Sequence, residues 1–302
     1  MMQKNEYSDK NWGHCLSLKN DLVELTVPLE LGPRIIRYSY IGEKNVFGEF
    51  PAQKADADKS KWHSYGGHRL WHGPEDILRT YIPDNDPVQL EIAASRVIIR
   101  QNIEKQTQLQ KEMELHLSES GTHVQVIHRI RNHHLFDVRL AVWGISVMAT
   151  KGRAILPLPP RGTHNENLQA QTSLTLWKYT NLQDPRYHFG QKYLSFQQDP
   201  TIEEAQKFGI SRSGGWLAYL NEGNAFIKKC AYGENQTYSD EGSALEIYSD
   251  GKVLEMESLS PLTTIKPGEF AELIEDWYLL NGIDLEANEN ELDQKLAQAN
   301  LF

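Results

Sequence analysis

Cysteine is scarce in this chain: its 302 residues include two, Cys15 and Cys230. Two thiols so far apart make no disulfide framework, and a reducing compartment is the default expectation. Apolar stretches are short. None approaches the ~18 residues of a membrane span, and the N-terminal MMQKNEYSDKNWGH has no apolar segment of a secretory signal. Basic residues are outnumbered 31 to 41, for a net charge of −10. Nucleic acid and anionic membrane surfaces select basic faces, so neither is an expected partner. A neutral ligand such as a sugar fits that charge. Common catalytic signatures are also missing. There is no HExxH and no G-x-S-x-G, and 211–215 (SRSGG) lacks the GK[ST] ending of a phosphate loop. These absences lead to the expectation of a cytoplasmic protein that binds neither nucleic acid nor membrane.

What is present reads as strands. Hydrophobic residues make up 39% and charged residues 24%, enough for a globular core. Period-two or β-branched runs recur at 22–27 (LVELTV), 88–92 (VQLEI), 96–100 (RVIIR), 111–117 (KEMELHL) and 123–130 (HVQVIHRI). They continue at 140–148 (LAVWGISVM), 216–220, 225–229, 245–248 (LEIY), 253–257 (VLEME) and 271–280, with turn residues at 119–121, 221–223, 249–251 and 266–268 between them. Short strands at regular spacing predict a mainly β, antiparallel sandwich or barrel. Two helices are expected, a short one at 202–208 (IEEAQKF) and a terminal surface helix at 285–299. Residues 51–61 (PAQKADADKSK) read as a polar loop. No linker or repeat breaks the chain, so residues 1–302 are expected to form a single domain.

Two stretches carry candidate chemistry. The first is 65–76, YGGHRLWHGPED. His68 and His72 are four apart, a metal-pair spacing on a helix. The Gly-Gly before them and the Gly-Pro after favour an extended segment instead, so no metal site is expected. In an extended segment His68, Leu70 and His72 share one side, and Arg69 and Trp71 the other. Aromatic, Arg and His side chains together suit a polyhydroxylated ring, because its C–H faces stack and its hydroxyls need fixed partners. The bland alternative is a loop with locally bonded histidines and core tryptophans. The second stretch is VLEME, where Glu255 and Glu257 share one face and Leu254 and Met256 the other. Crowded carboxylates raise each other's pKa, which suits a general base, although the pair could equally form a solvated strand face. Glu246, before the Ser-Asp-Gly turn, is expected to join them through a hairpin.

Several blocks taken together resemble the galactose mutarotase-like (aldose 1-epimerase-like) superfamily. They are 32–38 (GPRIIRY) with Gly42 and 45–47, then HRLWHGPED, 254–261 (LEMESLSP), 266–269 (KPGE) and 275–277 (EDW). The resemblance implies a large antiparallel β-supersandwich with few short helices and a shallow sugar site. It implies a cofactor-free isomerase that interconverts anomers of a small-molecule carbohydrate. His72 would protonate the ring oxygen, and Glu257, or Glu255 if the register slips, would deprotonate the anomeric hydroxyl. Arg34, His68 and Arg69 would bind hydroxyls. Glu246 falls where the family has a substrate-binding Gln, and Trp71 and Trp143 would be stacking platforms. The chain departs from the family at two places. Trp143-Gly144 stands where the second catalytic histidine is expected, and the substrate-binding Asp has no clear counterpart, with Gln191 and Lys192 near its place. A non-catalytic carbohydrate-binding protein and a glycan-cleaving hydrolase or lyase are the alternatives.

Overall fold

The computed structural model describes residues 2–55, 58–212 and 214–299. Antiparallel strands dominate it, in three sheets. A four-stranded sheet pairs Gln3–Asp9, Gly13–Lys19, Val23–Pro28 and Arg37–Tyr40 in that order. A ten-stranded sheet has the long strands Asn224–Cys230, Phe270–Asn281, Val124–Asn132 and Leu109–Leu117 at its centre. An eight-stranded sheet runs Leu174–Leu176, Gln206–Ile210, Leu245–Ser249, Leu254–Leu259, Val138–Val147, His68–Gly73 and Arg34–Ile35, with Thr263–Ile265 also paired to Val138–Val147. The β-sandwich expectation is met. The core between the large sheets also takes in the four-stranded sheet, so Leu25, Leu70, Met256 and Trp277 belong to one connected apolar cluster.

Period-two alternation decides which side chains enter that core. In the strand Leu254–Leu259, Leu254 and Met256 join it, and Glu255 and Glu257 point to the other face. The strand Leu245–Ser249 pairs with Leu254–Leu259 as the expected hairpin and places Glu246 directly opposite Glu257. The expected terminal helix is present as Glu289–Gln298, started by an Asn288–Glu291 capping box.

The helix expected at 202–208 is not there. Gln206–Ile210 is a strand on Leu245–Ser249. The EEAQK run has good intrinsic helix propensity, but burying Phe208 and Ile210 against the core outweighs it. The polar stretch 51–61 begins with a short helix, Pro51–Ala55, while residues 56 and 57 lie outside the described residues. Among the described residues no helix is long and apolar enough to cross a membrane.

Candidate functional site

Neighbouring strands of the eight-stranded sheet pair Arg69 with Ile145, Ile145 with Glu257, and Glu257 with Glu246. Trp71 pairs with Trp143, Val147 with Glu255, and Glu255 with Tyr248. Lys207 pairs with Tyr248. Directly paired residues share a face, so this register gathers Arg69, Trp71, Trp143, Lys207, Glu246, Tyr248, Glu255 and Glu257 on the side away from the core. Loops complete a cavity of about 570 Å³ over that face, adding Phe50, Gln53, Trp62, Ser64, Glu75, Tyr81 and Tyr179.

The walls are aromatic and the polar groups are tied down. Trp62, Trp71 and Tyr81 pack edge to face or tilted at centroid distances of 4.7–5.3 Å, and Trp143 lies 5.5 Å from Trp71. The Arg69 guanidinium sits 4.5 Å from the Trp71 ring centre and 5.4 Å from that of Trp62. It donates two hydrogen bonds to Glu255, at 2.9 and 3.2 Å. This fork-on-carboxylate geometry is rigid and directional. Three polar atoms in the wall, Trp62 Nε1, Ser64 Oγ and Arg69 Nε, have no hydrogen-bond partner in the protein.

Deeper in the cleft, the Lys207 ammonium lies between two carboxylates. Its Nζ is 2.9 Å from Glu257 Oε2 and 2.9 Å from Glu246 Oε2, and 4.7 and 4.8 Å from the rings of Trp143 and Trp177. Trp143 Nε1–H donates to the same Glu257 oxygen at 3.1 Å. The approach to Glu246 has ion-pair distance but not hydrogen-bond direction, and both Glu246 oxygens are buried without a hydrogen bond. Burial pushes the Glu246 carboxyl well above its usual range, helped by Glu257 and Asp240 against the pull of Lys207. Glu257 is raised as well, by burial and by Glu255, with Lys207 opposing. Burial alone would depress Lys207, but the two carboxylates outweigh it and hold the ammonium charged well above its usual range.

The structure corrects several residue expectations. His72 lies on the opposite face of its strand from Arg69 and Trp71, turned toward Lys111 and Glu104 of the interior. It is 4% exposed with its Nδ1 unpartnered, and burial followed by the Lys111 charge lowers its pKa to about 4. It does not share a hollow with Glu257 or Glu255. His68 faces inward by the same alternation. Arg34 is fully buried and spends its guanidinium on Asp84 and on the carbonyls of Ser64 and Gly66. Lys192 lies at the far edge of the other large sheet, paired with Asp293 of the terminal helix. Trp71 and Trp143 do line the cleft, but at 5% and 3% exposure they form its floor rather than open platforms. The residues brought together as expected are Arg69, Trp71, Trp143, Glu246, Glu255 and Glu257.

The inward histidines have a different task. His128 Nδ1 lies 3.1 Å from the Leu273 carbonyl, which can only accept, so that nitrogen carries the proton. His128 Nε2 is then the acceptor for His68 Nε2–H at 2.6 Å, and His68 Nδ1 accepts from Ser146 Oγ at 2.9 Å. Glu275 takes hydrogen bonds from Ser258 and from Trp277 Nε1, and Lys228 lies 3.1 Å from it. Lys228 also donates to the carbonyls of Gly144 and Met256. Burial holds both histidines neutral by lowering their pKa. His68, His128 and Glu275 bring three potential ligand atoms within 4.8 Å of one another, but the cation seated there is Lys228. Gly144 is required beside this cluster, because a Cβ on it would fall 2.3 Å from Glu275 Oε1. That explains a glycine next to Trp143.

Sequence reasoning missed Trp62, Tyr81, Tyr179, Lys207 and Tyr248. The signal for Lys207 was present: with Phe208 and Ile210 in the core, alternation sends Lys207 outward. Tyr248, two residues beyond Glu246 on one strand, was equally within reach of alternation, while Trp62, Tyr81 and Tyr179 arrive from loops.

Solved structures with this architecture include a putative aldose 1-epimerase from Klebsiella pneumoniae, 14% identical, with a TM-score of 0.60 over 94% of this chain and 83% of that one. A galactose mutarotase-like protein from Clostridium acetobutylicum is 11% identical, with a TM-score of 0.56 over 93% of this chain and 99% of that one. Another, from Lactobacillus casei, is 10% identical, with a TM-score of 0.55 over 88% and 100%. No protein-family model and no curated protein sequence matches the chain. The chain therefore has the galactose mutarotase-like fold, and at these identities the likeness carries the fold alone.

Proposed function

We propose that the cleft binds a carbohydrate and that the chain works as one carbohydrate-binding domain of aldose 1-epimerase-like fold. The observation that carries this is the Arg69–Glu255 fork held against the packed rings of Trp62 and Trp71 at the cleft wall. Such a site offers flat apolar surface for C–H faces. It also offers charged donors and acceptors whose positions are already fixed, so little ordering cost remains when hydroxyls bind. The epimerase-like structures are consistent with a sugar as ligand. Cys15 and Cys230 are free and buried, with burial pushing each thiol up to about 12, so neither is an activated nucleophile that would compete with the cleft for the function. The test is titration with neutral sugars followed by tryptophan fluorescence and thermal melting. A bound sugar raises the melting temperature, as any native-state ligand does. A panel of sugars that changes neither signal contradicts the proposal.

A second reading, anomer exchange, is favoured by one feature, the raised Glu257 carboxyl on the cleft face. Glu257 would take the anomeric hydroxyl proton as that oxygen forms C=O and the bond from C1 to the ring oxygen breaks. Water would protonate the departing ring oxygen. Rotation about C1–C2 and the reverse steps give the other anomer. The imidazole acid of the family mechanism has no place in this scheme, because His72 and His68 face inward. Exchange NMR decides: a rate above buffer that is lost in Glu257→Gln supports catalysis, and a rate equal to buffer leaves binding alone.

A further inference from the structure

We infer that the cleft accepts a neutral carbohydrate of at least two rings, one in each of two communicating lobes, an inference that rests on the carbohydrate reading above. The first lobe is the 570 Å³ cavity over Arg69, Trp71 and Glu257. A second cavity of about 400 Å³ adjoins it, and Glu75, Tyr81, Trp143 and Lys207 line both. Each volume falls within the ~300–1,000 Å³ of small-ligand pockets, so each lobe is roomy enough for a ring of its own. Four shared wall residues place the two lobes side by side.

The second lobe has its own apolar wall, built from Pro74, Ile77 and Trp177. Ile77, at the rim of this lobe, is 74% exposed, and the adjacent Leu78 is 79% exposed. Large apolar side chains held at a rim have a use if a second ring packs its C–H face against them. Tyr81 stands between the lobes and donates its hydroxyl to Glu75, which fixes the partition.

Charge selects against acidic sugars. The two deep cations are already matched, Arg69 by Glu255 and Lys207 by Glu257 and Glu246. Across both lobes the lining cations are Arg69, Lys207 and Lys252, against the acids Glu75, Asp240, Asp250, Glu255 and Glu257. A phosphate or uronate would meet net negative charge with no uncommitted deep cation to pay for its desolvation. Hydroxyls both donate and accept, so they can use each member of these pairs.

Calorimetric titration of the full chain with glucose, galactose, mannose, maltose, cellobiose, lactose, mannobiose and glucose 6-phosphate tests this. At least one disaccharide is expected to bind about tenfold more tightly than its component monosaccharide, the gain of one added aromatic contact. Glucose 6-phosphate is expected to bind more weakly than glucose. Ile77→Ser, at an exposed position, should cut the disaccharide advantage and leave monosaccharide affinity as it was; Trp177→Ala should cut it further. Monosaccharides that bind with no gain from a second ring, or an Ile77→Ser effect equal on both, overturn the two-lobe inference and leave the carbohydrate reading standing. No binding by any sugar in the panel overturns both.

Discussion

Each face of the eight-stranded sheet meets a lysine paired with buried carboxylate, Lys207 of the sheet itself on the outer face and Lys228 of the ten-stranded sheet on the inner one, yet the two clusters are built to opposite ends. On the inner face, Lys228, Glu275, His68 and His128 form a network in which each of the seven side-chain nitrogens and carboxylate oxygens at its centre has a partner, and against the opposing effect of burial the Lys228 charge and the hydrogen bonds from Ser258 and Trp277 hold Glu275 ionised, below its usual range. On the outer face, Lys207 holds Glu257 but leaves Glu246 without a hydrogen bond, and both carboxyls are raised. A saturated buried network specifies how two sheets meet. An unsaturated one beside a cavity keeps bonding capacity for something else.

The largest expected effect comes from breaking the inner cluster. Lys228→Met strands the Glu275 charge in the core and should cost about 3–5 kcal/mol in urea unfolding. Lys207→Met also strands buried carboxylates, Glu246 and Glu257 at 0% and 1% side-chain exposure, so it should cost a comparable amount, but it alone should abolish sugar binding. Loss of sugar binding in both variants, or in neither, would erase the distinction between the faces.

The next effect is a pH dependence set by the inner face. The His72 imidazole titrates near 6.5 when unfolded and near 4 in the fold. Below pH 6.5 the unfolded chain binds a proton that the fold refuses, so stability is full above that pH and is lost as pH falls toward 4. The His72 share is about 3 kcal/mol over this interval, and buried His68 and His128 add to it in the same direction. Urea unfolding at stepped pH should give a falling curve that is shallower in His72→Leu. A slope unchanged by that substitution would move His72 out of the interior.

The smallest effect belongs to the cleft wall. Trp62→Ala should weaken sugar binding about tenfold while leaving the acid limb of the stability curve unchanged. A variant that loses stability and keeps affinity would make Trp62 a packing residue.

Much of this partition was legible in the sequence. VLEME announced one acidic and one apolar face, and HRLWHG announced that Arg69 and Trp71 oppose His68 and His72. What the alternation rule leaves open is which side of HRLWHG meets the core, since each side mixes polar and apolar groups. The family resemblance led to His72 beside Glu257. The sheet instead buries Leu70 with both histidines and turns Arg69 and Trp71 outward. Lys207 was hidden because its strand has only five residues and is preceded by a helix-favouring run. Trp62 and Tyr179 reach the cleft through loops, and no local pattern encodes such long-range meetings.

The most direct test of the account is the set of indole N–H resonances of the seven tryptophans, recorded during titration with a neutral sugar. Signals of Trp62, Trp71 and Trp143 should move together and saturably, and that of Trp277, which donates to Glu275 inside the core, should stay in place. Movement of Trp277 with the cleft tryptophans unmoved, or no movement at any sugar concentration, would contradict the assignment of the outer face as the binding site.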